Sequence, residues 1–225
     1  APNVEVNLTI TSFNVLNLFK TIDEDSVITA AGHDPRGADS TDEFDRQLQK
    51  TVNAIIQLNA DVLGLVEVEN EFDNVNDGST AIEALVNAIN SQVGKTTYDY
   101  VYPGKTFVGG DAIAVGFIYK PSVVALATNS EAAILDDTVA ATLPIFNGRD
   151  FESNPLFNGP GTNRSSLAVS FTHLESNDTF TIVANHFKSK GSSDLEDTAS
   201  DNYDQGNGAG FWNQRRLEAA QAVTA

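Results

Sequence analysis

Ala60-Asp61-Val62-Leu63-Gly64-Leu65-Val66-Glu67-Val68-Glu69-Asn70 is the stretch that decides the architecture. From Val62 to Val66 no polar side chain interrupts it, and so short an apolar run suits a strand covered on both faces. Glu67 stands at the far end of that run, sharing parity with Leu63 and Leu65, whereas Glu69 is expected at the surface. Upstream, Ser40 and Glu43 make an S-x-x-E capping signature ahead of Phe44, Leu48, Val52, Ile55 and Ile56, which recur at helical spacing. Downstream, Thr80 and Glu83 repeat the signature before Ile82, Leu85, Val86 and Ile89, and Gly94 closes this second helix. A strand buried on both faces between two amphipathic helices places the chain in the α/β class.

Further out, Val4, Val6, Leu8 and Ile10 alternate with polar residues before Phe13 and Val15 take the opposite parity, which predicts a strand bent or bulged near Ser12. Strands are expected over 98–102, 112–119 and 123–127, with Pro121 in the turn between the last two. Residues 144–163 are rich in Asn, Gly and Pro and read as a long surface loop. Leu167, Val169 and Phe171, then Phe180, Ile182 and Ala184, predict a hairpin across Ser176-Asn177-Asp178. An acidic Gly/Ser-rich loop over 189–210 leads to a final helix from about Asn213, with Leu217, Ala220 and Val223 as its apolar positions. No internal repeat or linker appears, so residues 1–225 are expected to form one domain.

Composition narrows the function. Lys and Arg number 13 against 31 Asp and Glu, a net charge of −18, which excludes a generally basic surface for nucleic acid or anionic lipid; any polyanion must be met locally. The absence of cysteine excludes disulfides, Cys-ligated zinc and thiol catalysis. No apolar run approaches the roughly 18 residues of a membrane span. With no methionine, Ala1 reads as a processed end, and acidity together with Asn/Ser/Thr/Gly-rich loops suits a secreted protein, extracellular or periplasmic.

Two positions carry the candidate chemistry. Glu67, leaving the end of a buried strand, offers either a ligand for a hard cation or an acid paired with a base, with a merely solvated carboxylate as the alternative. His186 follows the parity of Phe180, Ile182 and Ala184, which turns its ring toward the packed face, where a satisfied core histidine is the bland alternative. Around it in sequence lie Lys188 and Lys190, then Arg215 and Arg216, with Arg164 brought in through the hairpin, and this grouping suits a local anion site. Other patterns fail: residues 73–78 begin like a calcium loop, yet Val75 stands at the third position and Ala84 at the twelfth. No P-loop, G-x-S-x-G or strand-to-helix G-x-G-x-x-G is present. His33, His173 and His186 lack the spacing of a helical zinc site.

Ser12-Phe13-Asn14-Val15-Leu16-Asn17-Leu18, Arg36-Gly37-Ala38-Asp39 with Glu43-Phe44, Gln47 and Lys50, and the stretch from Ala60 to Asn70 together resemble the endonuclease/exonuclease/phosphatase superfamily, in particular its bacterial extracellular nucleases. Gly110-Asp111-Ala112-Ile113, Asn163-Arg164-Ser165-Ser166-Leu167, Asn185-His186-Phe187-Lys188 and Arg215-Arg216 follow in the matching order. The resemblance implies a four-layer α/β/β/α sandwich of the DNase I-like type and a divalent-metal phosphodiesterase site at converging strand ends. It implies Asn14 near the metal, Glu67 as metal ligand, His186 on the scissile phosphate, and looser roles for Asp111 and Arg164. Lys188, Lys190, Arg215 and Arg216 are the expected substrate-binding cations. Mg²⁺ or Mn²⁺ is the implied cofactor, with Ca²⁺ as a further candidate, and nucleic acid is the implied partner.

The family's later Gly-Asp-x-Asn and Ser-Asp-His motifs do not occur. The chain therefore reads as the N-terminal part of such a domain, incomplete at its C-terminus, with weak or no activity alone and an apolar face open to self-association or to a complementary segment. Three functions compete: a secreted nuclease acting on DNA or RNA, a phosphatase or lipid phosphodiesterase using the same site, and a non-catalytic extracellular interaction module.

Overall fold

The computed structural model describes residues 7–73, 79–128, 132–157, 162–192 and 195–225. Val4 and Val6, most of the rejected calcium loop, and parts of the two long loops lie outside these residues. The elements run β1 (Ile10–Leu18), α1 (Thr41–Leu58), β2 (Val62–Glu69), α2 (Ala81–Val93), β3 (Asp99–Tyr100), β4 (Ile113–Tyr119), β5 (Val124–Leu126), β6 (Ala133–Leu135), α3 (Asp137–Ala140), β7 (Ser166–His173), β8 (Thr179–Ala184) and α4 (Asn213–Thr224). They form a mixed α/β fold of two four-stranded sheets. The first has the order β1-β2-β4-β3, with β2 parallel to β1 and antiparallel to β4; the second is built on β7, which pairs with β5, β6 and β8.

Both helix starts follow from their caps. The Ser40 hydroxyl accepts from the Glu43 amide, and at Thr80 the box is reciprocal, with Glu83 Oε2 accepting from the Thr80 amide at 2.9 Å. Alternation along β2 and β4 then sorts the core. Leu63, Leu65, Ala114 and Ile118 face α1 and α2, while Val62, Val115, Phe117 and Tyr119 face the second sheet and meet Leu167, Val169 and Phe171. Gly64 lies under the Phe117 ring, where a Cβ would come within 3.4 Å of it. On the far side of the second sheet, Leu135 joins Ala140, Phe146, Leu156, Phe157, Ala219 and Ala222, so α3 and α4 supply an outer layer and the order is α/β/β/α.

Several sequence expectations are corrected. Pairing of β1 with β2 is regular from Ile10 to Asn14, so no bulge lies near Ser12; the irregularity falls between Asn14 and Leu18, where Leu16 and Asn17 adopt positive φ. The change of parity there reflects which face is buried, since Phe13 and Val15 pack toward the helices while Ile10 and Ser12 stay exposed. β2 does not end at Glu67 but continues to Glu69. Glu69 is 2% exposed, its Oε2 accepting from the Lys20 and Thr21 amides at 2.8 and 3.1 Å. The 144–163 segment is not merely a surface loop, because Phe146, Leu156 and Phe157 are buried in it. In α4 the buried positions are Ala219 and Ala222, and Leu217 is half exposed, because small side chains let the helix approach that segment closely. The sequence pattern also missed β6 and α3, and the strand expected over 98–102 reduces to Asp99–Tyr100.

Phe171 joins the two sheets, its ring 6.2 Å from that of Phe117 and 5.6 Å from that of Tyr119. Phe171→Ala is expected to destabilise the protein by about 3–5 kcal/mol, measured as a lower urea midpoint with an unchanged m value.

Candidate functional site

The site starts from a break in alternation. Between Val66 and Val68, β2 spends two residues against one step of β4, and the extra residue, Glu67, has φ 66°. In an unbroken strand Glu67 would follow Leu63 and Leu65 into the core beneath the helices; with the bulge, Val68 takes that place and is fully buried. The expected parity of Glu67 is thereby corrected, and its carboxylate is directed out of the core instead of being buried without a partner.

β1 has its own irregularity at the same level, and the two are tied together. Asn14 Nδ2 donates to Glu67 Oε1 at 2.8 Å, and Asn14 Oδ1 accepts from the Leu16 amide at 2.7 Å. From α1, Gln47 Nε2 donates to the carbonyls of Val15 and Leu16 at 3.1 and 2.7 Å. The left-handed turn at Leu16 is thus held by side chains on both sides, a local strain that surrounding hydrogen bonds over-determine.

His186 arrives from the other sheet, two residues beyond β8. Its Nε2 lies 3.6 Å from Glu67 Oε1, and the carboxylate and imidazole side chains are each 20% exposed. The carbonyl of His186 accepts from the Arg164 amide at 3.1 Å. Asp111 sits between two guanidinium groups, Arg36 Nη1 at 3.1 Å and Arg164 Nε at 3.3 Å. Burial lowers the His186 pKa from its ordinary value of 6.5, the Arg164 cation lowers it further, and Glu67 and Asp111 oppose both. The imidazole is therefore biased toward the neutral form, with its buried Nδ1 lacking a hydrogen-bond partner among the described residues.

Asn14, Glu67, Asp111, Arg164 and His186 therefore gather at one end of the two sheets. The expected cations divide differently. The Arg215 guanidinium binds the Pro155 carbonyl and Asn154 Oδ1, pinning α4 to the 150–157 segment. Arg216 donates to the carbonyls of Lys188, Ser189, Ala209 and Phe211, closing the loop before α4. Lys188 places Nζ 5.5 Å from the centre of the Trp212 ring, and Lys190 Nζ donates to the Gly208 carbonyl. Both arginines act as structural ties.

Residues that hold the site in place were less visible in sequence. Buried Asn70 donates to the Asp111 carbonyl at 2.8 Å and accepts from the Val108 amide, shaping the segment that presents Asp111. Buried Asn163 binds the carbonyls of Leu156 and Arg215 and accepts from the Lys188 amide. Both lie in quoted motifs, but side-chain bonds to distant backbone have no periodicity to reveal them.

Among the described residues no group of three or more His, Asp and Glu side chains is arranged to hold a metal ion. The donor set at Glu67 nevertheless fits Mg²⁺, which takes one or two carboxylates and fills its remaining positions with water and phosphate oxygens. The amide of Asn14 steers the carboxylate.

No family model matches the chain, and no curated protein does. Among solved structures it is similar to an endonuclease/exonuclease/phosphatase family protein from Bacteroides thetaiotaomicron (12% identity, 96% of this chain and 56% of that one, TM-score 0.48). It is similar also to a humanized D. rerio TDP2 (15% identity, 96% and 54%, TM-score 0.47). A third is mannosyl-6-phosphatase Bt3783 of B. thetaiotaomicron VPI-5482 (12% identity, 96% and 57%, TM-score 0.47). The chain spans a little over half the length of these structures. No described helix is long and apolar enough to cross a membrane.

Arg164→Gln is expected to raise the His186 pKa, read from the imidazole proton shifts in an NMR titration of the metal-free protein. Because the folded value lies below 6.5, the unfolded chain binds the proton more tightly. The His186 contribution to stability is therefore complete above 6.5 and lost as pH falls through the lowered value. Denaturant midpoints measured across that window should flatten in His186→Asn.

Proposed function

We propose that the chain carries a secreted, divalent-metal phosphodiesterase site, built around Glu67, that acts on nucleic acid. The observation that carries the reading is the convergence of Asn14 on β1, Glu67 at the bulge of β2 and His186 just beyond β8, from two sheets, within hydrogen-bonding and ion-pairing reach. In this reading Glu67 and Asn14 would hold Mg²⁺ or Mn²⁺, and the ion would supply charge neutralisation on the reacting phosphate and help to activate water. His186 Nε2 donates to a phosphate oxygen when protonated or accepts a proton when neutral, and the lowered pKa favours the second role near neutral pH. Arg164, tethered to Asp111, adds a fixed positive charge behind the imidazole and favours an anion at that rim. The acidic composition and the Asn/Ser/Thr/Gly-rich loops support secretion.

Titration of the chain with Mn²⁺ tests the reading. Specific binding lost in Glu67→Gln and weakened about 10–100-fold in Asn14→Ala is expected. Equal binding by the chain and Glu67→Gln, or none by the chain itself, overturns it.

A further inference from the structure

A cleft of about 540 Å³ opens beside the site, between the β1 irregularity, residues 36–38 and one face of α1. That face is the stripe Glu43, Arg46, Gln47, Lys50, Thr51 and Ala54, whose spacing stacks the side chains along one side of the helix. Arg46 and Lys50 are exposed and make no hydrogen bond or ion pair among the described residues. They stand about one turn apart, roughly 6 Å along the axis, and as like charges at i, i+4 they repel and weaken the helix that carries them. Asp42, four residues before Arg46, does not pair with it. In a chain whose carboxylates outnumber its cations 31 to 13, two adjacent cations left without a carboxylate are conspicuous.

The rest of the lining strengthens the contrast. Arg36 adds a third cation, and Glu43 is the one carboxylate, with its Oε2 accepting from the Asp39 amide. The cleft is also continuous with the site, since Asn14 both lines it and binds Glu67, and Arg36 both lines it and binds Asp111. Leu16, 72% exposed on left-handed backbone, gives the opposite wall an apolar surface suited to a sugar or a base.

We propose that this cleft is a subsite for the phosphates flanking the reacting one, and that it selects a nucleic-acid strand over a small phosphomonoester. The choice of substrate class rests on the phosphodiesterase reading above. A small phosphate ester held at His186 and Glu67 leaves Arg46 and Lys50 untouched, whereas a strand passing over Asn14 brings consecutive phosphates to the α1 face. Two phosphate contacts there release counterions and make binding salt-dependent.

The test is fluorescence anisotropy of a labelled oligodeoxythymidylate with the chain, in EDTA, over a salt series. Arg46→Gln/Lys50→Gln is expected to weaken binding and reduce the slope of log K against log salt by about 1.4, roughly 0.7 per lost single-strand phosphate contact. Its circular dichroism and Mn²⁺ titration should be unchanged, so loss of the metal reading shows separately in Glu67→Gln. An unaltered slope in the double variant, absence of salt-dependent binding by the chain, or equal displacement of the oligonucleotide by polyglutamate overturns the subsite.

Discussion

The left-handed backbone at Glu67 is the constraint on which the site depends. One residue inserted into β2 shifts the alternation, so that Val68 and not a carboxylate enters the core under α1 and α2. The cost of positive φ at a non-glycine residue, about 1–3 kcal/mol, is smaller than that of an unpaired carboxylate among aliphatic side chains. It is supported from outside by Asn14 and Gln47, which hold the β1 irregularity against it. Packing and chemistry are thus settled by the same residue, and the sheet remains well packed up to the edge of the site.

Much of the architecture was legible because its causes are local. The capping residues Ser40 and Thr80 and the periodicity of Val52 and Ile55 or Leu85 and Ile89 lie within a few residues of what they dictate. The hairpin likewise follows from alternation across a short turn. Glu69 was misread because the amides that receive it are 48 and 49 residues away, and nothing near it in sequence announces them. α4 was misread because its packing rewards smallness, so the larger Leu217 is turned outward while the alanines are buried. For the site, motif resemblance pointed to Asn14, Glu67 and His186, which the fold places together. The sharing of Asp111 by Arg36 and Arg164 depends on three separate loops and had no local signature.

Cations in this acidic chain are used sparingly and mostly for construction. Lys120 braces Asp61, whose carboxyl is pushed up by burial but held below its ordinary value by Thr9 and that ammonium. Arg149 pairs with Glu218, and Arg215 is buried enough that its guanidinium is less basic than usual. Arg164 brings positive charge to the proposed reaction centre through its ion pair with Asp111, while Arg215 and Arg216 are engaged by backbone carbonyls.

Arg216 has an evolutionary consequence. It grips carbonyls at both ends of the segment between Lys188 and Phe211, while Asn202 in its middle accepts from the Arg215 amide, so the segment is anchored at its ends and in its middle. Closing a longer loop costs little, about 0.6 kcal/mol per doubling. Insertions in the stretches between these anchors should consequently accumulate among descendants of this sequence without moving His186, which makes them a natural place for lineage-specific variation.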